Sequence, residues 1–149
     1  MHLTLLFLGE VEQLDVVGIC RAAKAVAARH ESFNLDVSGV GGFPNMRRPK
    51  VLWAGMGDGV ETLKALHADL EAALLELGCY RREDRAFVPH LTLGRLSPED
   101  DDEAWGKTLA QHSSWVGGSS NIDEVLVMAS EPRREGPVYS VMGRARLGE

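Results

Sequence analysis

The tetrapeptide His-Leu-Thr-Leu is written twice in this chain, at residues 2–5 and again at residues 90–93. Successive side chains of a strand point to opposite faces. Each copy, laid out as a strand, therefore puts an imidazole and a hydroxyl on one face and two leucines on the other. Leu3, Leu5, Leu91 and Leu93 would enter a core, while His2 and Thr4, and His90 and Thr92, would line an open face. A chain that repeats this pattern is expected to be a structural repeat, with two strands brought together around one pocket.

The segments after each copy support the repeat. Residues 2–8 read as a strand ended by Gly9-Glu10. Val16, Ile19, Cys20, Ala23, Val26 and Ala27 recur at helical spacing and predict a helix over roughly 12–30. Phe33, Leu35 and Val37 alternate with polar neighbours, which predicts a half-buried strand. The Gly- and Pro-rich stretch 39–50 predicts a loop, and Val51–Met56 a strand after it. Leu63, Leu66, Leu70, Leu74 and Leu77 give a second amphipathic helix, ending near Gly78. Residues 86–96 hold the second motif as a strand, with Pro89 marking an edge or bulge. Ser97-Pro98-Glu99-Asp100 predicts a helix start with Ser97 as cap, so the acidic run 99–103 reads as a helix N-terminus and not a metal site. Residues 122–130 and 137–147 complete the chain as two strands. The second motif follows a strand and a helix; the first follows only Met1. Equivalent halves imply a strand and helix of roughly 35–40 residues ahead of His2 that this sequence lacks. A truncated chain, a misplaced start codon or a shortened natural variant each fits.

The 149 residues suit one domain of two pseudo-repeated lobes. An apolar fraction of 44% and a charged fraction of 26% are those of a globular protein. The run Leu3–Leu8 has no basic leader and is too short to span a bilayer, which makes a cytoplasmic location the expectation. Cys20 and Cys79 lack metal-ligand spacing and read as buried free thiols. The net charge of −6 argues against broad binding to long nucleic acid but leaves room for a local basic pocket. The pairs Arg47-Arg48, Arg81-Arg82 and Arg133-Arg134 read as solvated loop charges.

Two histidines and two threonines around one pocket suit phosphodiester chemistry. Histidine titrates near neutrality, so one imidazole can be neutral while the other is protonated. The neutral one takes a proton from water, and the charged one gives a proton to the leaving oxygen. Each such step typically contributes ~100- to 10,000-fold in rate. Threonine hydroxyls can hold non-bridging oxygens and fix an in-line geometry. No cofactor is needed, and no His-His-carboxylate spacing suggests a metal. His30, His67 and His112 lack this context and read as helix-surface or helix-end residues.

The paired motifs resemble the 2H phosphoesterase superfamily, and within it the RNA 2′,3′-cyclic phosphodiesterase (2′-5′ RNA ligase) family. The similarity covers nearly the whole chain. HLTLLFLGEV resembles the family's first motif region, GGFPNMRRPKVLWAGM its central loop and strand, RAFVPHLTLGRL its second motif, and EGPVYSV its C-terminal strand. The resemblance implies an α+β, bilobal fold with two antiparallel sheets flanking a central cleft and helices outside. It implies hydrolysis of an RNA or nucleotide 2′,3′-cyclic phosphate to a 2′-phosphate, with reversible 2′-5′ joining of RNA ends. By resemblance, His2 is the general acid that protonates the 3′ leaving oxygen and His90 the base that activates water. Thr4 and Thr92 bind phosphate oxygens, and Arg95 also contacts phosphate. Phe43 stacks on a base or, equally, packs under its loop. Family members carry a strand and helix before the first histidine, the same elements the repeat requires. The expected partners are RNA ends or small cyclic-phosphate nucleotides, with no membrane and no metal. The chain is expected to be a monomer, with edge pairing if a sheet edge is open. Two function classes remain open at this stage: a cyclic phosphodiesterase, and an RNA-end or nucleotide binding protein with little catalysis. A third reading, a related enzyme for a non-RNA cyclic phosphate, stays within the first class.

Overall fold

The computed structural model describes residues 2–149. These fold into three helices and six strands, α1 (Gln13–Ala27), β1 (Phe33–Phe43), β2 (Val51–Met56), α2 (Val60–Leu77), β3 (Leu91–Arg95), α3 (Asp102–Gln111), β4 (Val116–Ile122), β5 (Glu124–Glu131) and β6 (Val138–Arg146). The chain divides into two compact units. One comprises the residues up to Leu5, Asn34–Leu63 and Phe87–Asn121; the other comprises Leu6–Phe33, Lys64–Ala86 and Ile122–Glu149. The α+β class expected from the sequence is the class observed.

The first unit holds a four-stranded sheet of order β3-β2-β1-β4. β1 pairs antiparallel with β2, and β2 with β3. Gly39 donates its N–H to the carbonyl of Trp115, and Asn34 and Asn121 hydrogen-bond at 3.2 Å, so β4 also runs opposite to β1. One face of this sheet is a core face. Leu35, Leu52 and Ala54 are buried there, with Leu109 of α3 packed over Gly42. Full burial of a leucine side chain is worth about 1.5–3 kcal/mol. The cross-strand partners Leu91 and Ala54 share this face.

Four sequence expectations are corrected in this unit. β1 does not stop at Ser38 but runs on through Gly39–Phe43, which had read as loop. Its glycines are there for close approach. A side chain at Gly41 would collide with the Trp53 indole, and one at Gly42 with Pro49. Residues 2–8 are not a strand. They keep the alternation, with His2 and Thr4 exposed and Leu3 and Leu5 half-buried, but they join no hydrogen-bonded ladder, and a strand exists only as part of one. Helix α3 begins at Asp102 with Asp101 as its cap, whose carboxylate accepts from the N–H of Ala104 at 3.0 Å. Ser97 instead donates its N–H and hydroxyl to Asp100 in a local turn. The Gly- and Ser-rich β4 escaped the sequence reading, since its apolar periodicity is nil and six of its seven residues are exposed. Its order comes from backbone pairing to β1.

In the second unit, α1, the Lys64–Leu77 part of α2 and the β5–β6 hairpin pack together. Ile19, Leu74 and Tyr80 form its centre, with Leu6, Leu8, Val11 and Val127 against them. Gly143 of β6 leaves room for the thiol of Cys20. Both cysteines are free, as expected, but half-buried rather than buried. His30, beyond the end of α1, pairs with Asp69 of α2 at 2.9 Å. Among the described residues, no helix is long and apolar enough to cross a membrane.

Candidate active site

The sheet face opposite the core carries the second motif. Register fixes which side chains share it, because directly paired residues of an antiparallel ladder project to the same side. Gly41 pairs with Trp53, Phe43 with Val51, Trp53 with Thr92, and Val51 with Arg95. Phe43, Val51, Trp53, Thr92 and Arg95 therefore line one surface.

Arg95 reaches that surface through an irregularity. The pairing passes from Trp53↔Thr92 to Leu52↔Gly94, which leaves Leu93 as an extra residue on β3. A bulge of this kind shifts the alternation of every residue beyond it. Plain alternation would send Arg95 to the core side; the bulge returns it to the side of Thr92. It also corrects the expectation for Leu93. The extra residue is not on the core face but is 57% exposed. Arg95 is exposed and has no ion-pair partner among the described residues.

His90 stands one residue ahead of β3. Its ring meets Phe43 edge-on, with centroids 5.1 Å apart and planes at 87°, and meets Trp53 at 6.4 Å and 60°. Phe43 and Trp53 in turn lie 5.4 Å apart. Nδ1 of His90 is 2.6 Å from the carbonyl oxygen of Val88. A carbonyl can only accept, so Nδ1 carries the hydrogen. In the neutral ring Nε2 is then the basic nitrogen, and the lone pair has one place to be. Pro89, buried between the carbonyl and the ring, fixes the turn that makes this contact.

Sequence reasoning missed Trp53 and Gly41. The indole lies across Gly41 and supports His90, and its Nε1 is buried without a hydrogen-bond partner among the described residues. The available signal was Trp53 standing two residues from Val51, on the same side of a strand. Phe43 packs against two rings, so much of its surface is committed to holding His90.

All six sequence candidates, His2, Thr4, Phe43, His90, Thr92 and Arg95, fall within the first unit. His2 and Thr4 are exposed on the extended segment at its start.

Comparison with known proteins places the chain in a family. The sequence profile of the 2′-5′ RNA ligase superfamily matches residues 1–132. The chain belongs to that superfamily, a branch of the 2H phosphoesterases. It is 30% identical to the RNA 2′,3′-cyclic phosphodiesterase of Aeropyrum pernix over 141 residues, covering 95% of this chain and 78% of the relative. It is 25% identical to the protein of the same name from Aquifex aeolicus over 148 residues, 99% of this chain and 78% of the relative. Among solved structures, TT0787 of Thermus thermophilus matches with a TM-score of 0.80 at 27% identity, over 99% of this chain and 78% of the other. E. coli LigT complexed with 3′-AMP matches with a TM-score of 0.70 at 26% identity, over 99% and 77%. This 2H phosphoesterase thus shares the fold of these structures over 99% of its length.

Proposed function

We propose that this 2H phosphoesterase hydrolyses the 2′,3′-cyclic phosphate at an RNA or nucleotide end to a 2′-phosphate. The observation that carries the reading is the setting of His90. Its Nδ1–H is held by the Val88 carbonyl, leaving Nε2 as the basic nitrogen on a surface shared with Thr92 and Arg95. The names of the relatives supply the substrate class.

In this reaction His90 Nε2 takes a proton from water as its oxygen attacks phosphorus. The bond from phosphorus to O3′ breaks, and His2 delivers a proton to O3′. The products are a 3′-hydroxyl and a 2′-phosphate. Thr92 and Thr4 donate hydroxyl hydrogens to the non-bridging oxygens, and the Arg95 guanidinium balances the charge gathering on them. Each step is a proton transfer or a hydrogen bond, so the reaction needs no metal. With an RNA 5′-hydroxyl in place of the water, the same groups in the same direction join ends through a 2′-5′ linkage and release O3′ as a hydroxyl, and the reverse of that step cleaves the linkage.

The test is incubation with an oligonucleotide 2′,3′-cyclic phosphate in EDTA, followed by phosphorus NMR. The expected product is the 2′-phosphate alone, at a rate the chelator leaves unchanged. A 3′-phosphate product, or loss of turnover on chelation, overturns the reading. Tight ligand binding without any product would favour a binding role instead.

A further inference from the structure

The surface that carries Thr92 and Arg95 does not end at Trp53. Alternation along β2 keeps Gly55, and then Gly57 just past the strand's end, on the side of Trp53. A side chain at Gly55 would begin 3.3 Å from the Trp53 ring, and one at Gly57 would meet Ser38 Oγ at 2.8 Å and Asp36 Cβ at 3.3 Å. Asp36 and Ser38 therefore project from β1 onto the same face, over a floor of two glycines. The backbone beneath them is tied down. Asp36 donates its N–H to the carbonyl of Asp58 at 2.9 Å and accepts from the N–H of Gly57 at 2.8 Å. Here lies a cavity of about 370 Å3, within the range of ligand sites, whose lining includes Asp36, Ser38, Gly57, Asp58, Gly118 and Ser119. All of these belong to the first unit. No Lys, Arg or His lines it, and the carboxylates of Asp36 and Asp58 have neither an ion-pair nor a hydrogen-bond partner among the described residues. The face thus runs from an unpaired guanidinium at Arg95 to unpaired carboxylates at Asp36 and Asp58.

We infer that this cavity takes the base of the nucleotide adjoining the terminal one, and that it selects bases offering amino and imino hydrogens, guanine first. The inference rests on the reading that the terminal phosphate is bound beside His90, Thr92 and Arg95. Gly57 is four residues along from Trp53, the partner of Thr92, or ~13 Å at the rise of a strand. That span is longer than a nucleoside, so the terminal base stops short and the adjoining one reaches the cavity. The path between them crosses the half-buried indole of Trp53. Charge decides which part of the adjoining nucleotide enters. An ionised carboxylate only accepts hydrogen bonds, and with no cation beside it it repels phosphate. The Watson–Crick edge of guanine sets N1–H next to the N2 amino group, and one carboxylate takes both. Adenine and cytosine bring an amino group next to an acceptor nitrogen. Uracil brings one imino hydrogen between two carbonyl oxygens, which the acids repel. The hydroxyls of Ser38 and Ser119 donate or accept as the base requires.

The experiment measures dissociation constants, at one salt concentration, for four oligoribonucleotides that end in a 2′-phosphate and differ only in the base next to the last. Guanine should bind tightest and uracil weakest, about tenfold apart, the discrimination of one bidentate base contact. Asp36→Asn and Asp58→Asn should each bring that ratio towards one, Asp36→Asn the more. Removing a negative charge also favours every RNA, so the ratio between bases, and not the absolute affinity, is the readout. Equal affinity for the four, or an order that guanine does not lead, overturns the inference, as does a guanine-to-uracil ratio that both variants leave unchanged. The ranking in the parent protein needs no substitution, and a melting curve for each variant checks that the fold is kept. Turnover of a nucleoside 2′,3′-cyclic phosphate, which has no adjoining base, tests the catalytic reading by itself, so the two can fail separately.

Discussion

Thr92 and Arg95 project from the same face of β3 although three positions separate them, an interval that ordinarily sends two strand residues to opposite sides. The bulge at Leu93 is what brings the guanidinium to the hydroxyl. Arg95→Ala should lower kcat/KM for a cyclic phosphate about ten- to a hundredfold, the value of one charge-assisted hydrogen bond of ~1.5–3 kcal/mol. Deleting Leu93 should cost as much while leaving Arg95 and Thr92 in place, because regular pairing turns the guanidinium to the core side. Steady-state kinetics on folded variants checks both. Unchanged activity after the deletion would remove the bulge from the account.

Gly41 is required by the indole above it. The added methyl of Gly41→Ala would drive Trp53 from its seat and with it the support under His90. Overpacking of this kind costs about 1–3 kcal/mol. The expectation is a lower melting temperature together with reduced kcat. A stable and fully active Gly41→Ala would show that Trp53 does not position the imidazole.

The Val88 carbonyl dictates the form of the neutral His90 ring. Nitrogen NMR of labelled protein above the histidine titration range should show the hydrogen on Nδ1 and a bare Nε2. The reverse assignment would leave His90 unable to accept a proton from water through Nε2.

His67 on α2 gives a pH dependence of stability. Burial pushes its pKa below the usual 6.5, against the opposing pull of Glu71 and Glu83. On acidification the unfolded chain takes up the proton first. This contribution to stability is therefore complete above the usual histidine value and is lost as pH falls through the lowered one. Denaturant midpoints should fall as pH drops below the usual histidine value of about 6.5, and His67→Gln should flatten the trend. An identical pH dependence in the variant would assign it to other groups.

The two long helices were legible in the sequence because their apolar residues recur at a helical interval and little else competes. His90 and Thr92 were legible because alternation along a strand needs no partner to be read. Arg95 was not assigned a face from the sequence, since a bulge is decided by the pairing of two strands and leaves no local mark on either. The extension of β1 was hidden in the same way. Gly39–Phe43 has the composition of a loop, and only neighbours distant in the reading, Trp53 over Gly41 and Pro49 over Gly42, explain these two glycines. β4 is held by backbone pairing, to which side-chain periodicity is blind.

The most direct measurement is the rate at which His90→Ala converts a 2′,3′-cyclic phosphate to the 2′-phosphate, with circular dichroism to show an intact fold. Loss of the base should slow the reaction by about a hundred- to ten-thousandfold while ligand binding persists. A folded His90→Ala that turns over at the parent rate would contradict the account.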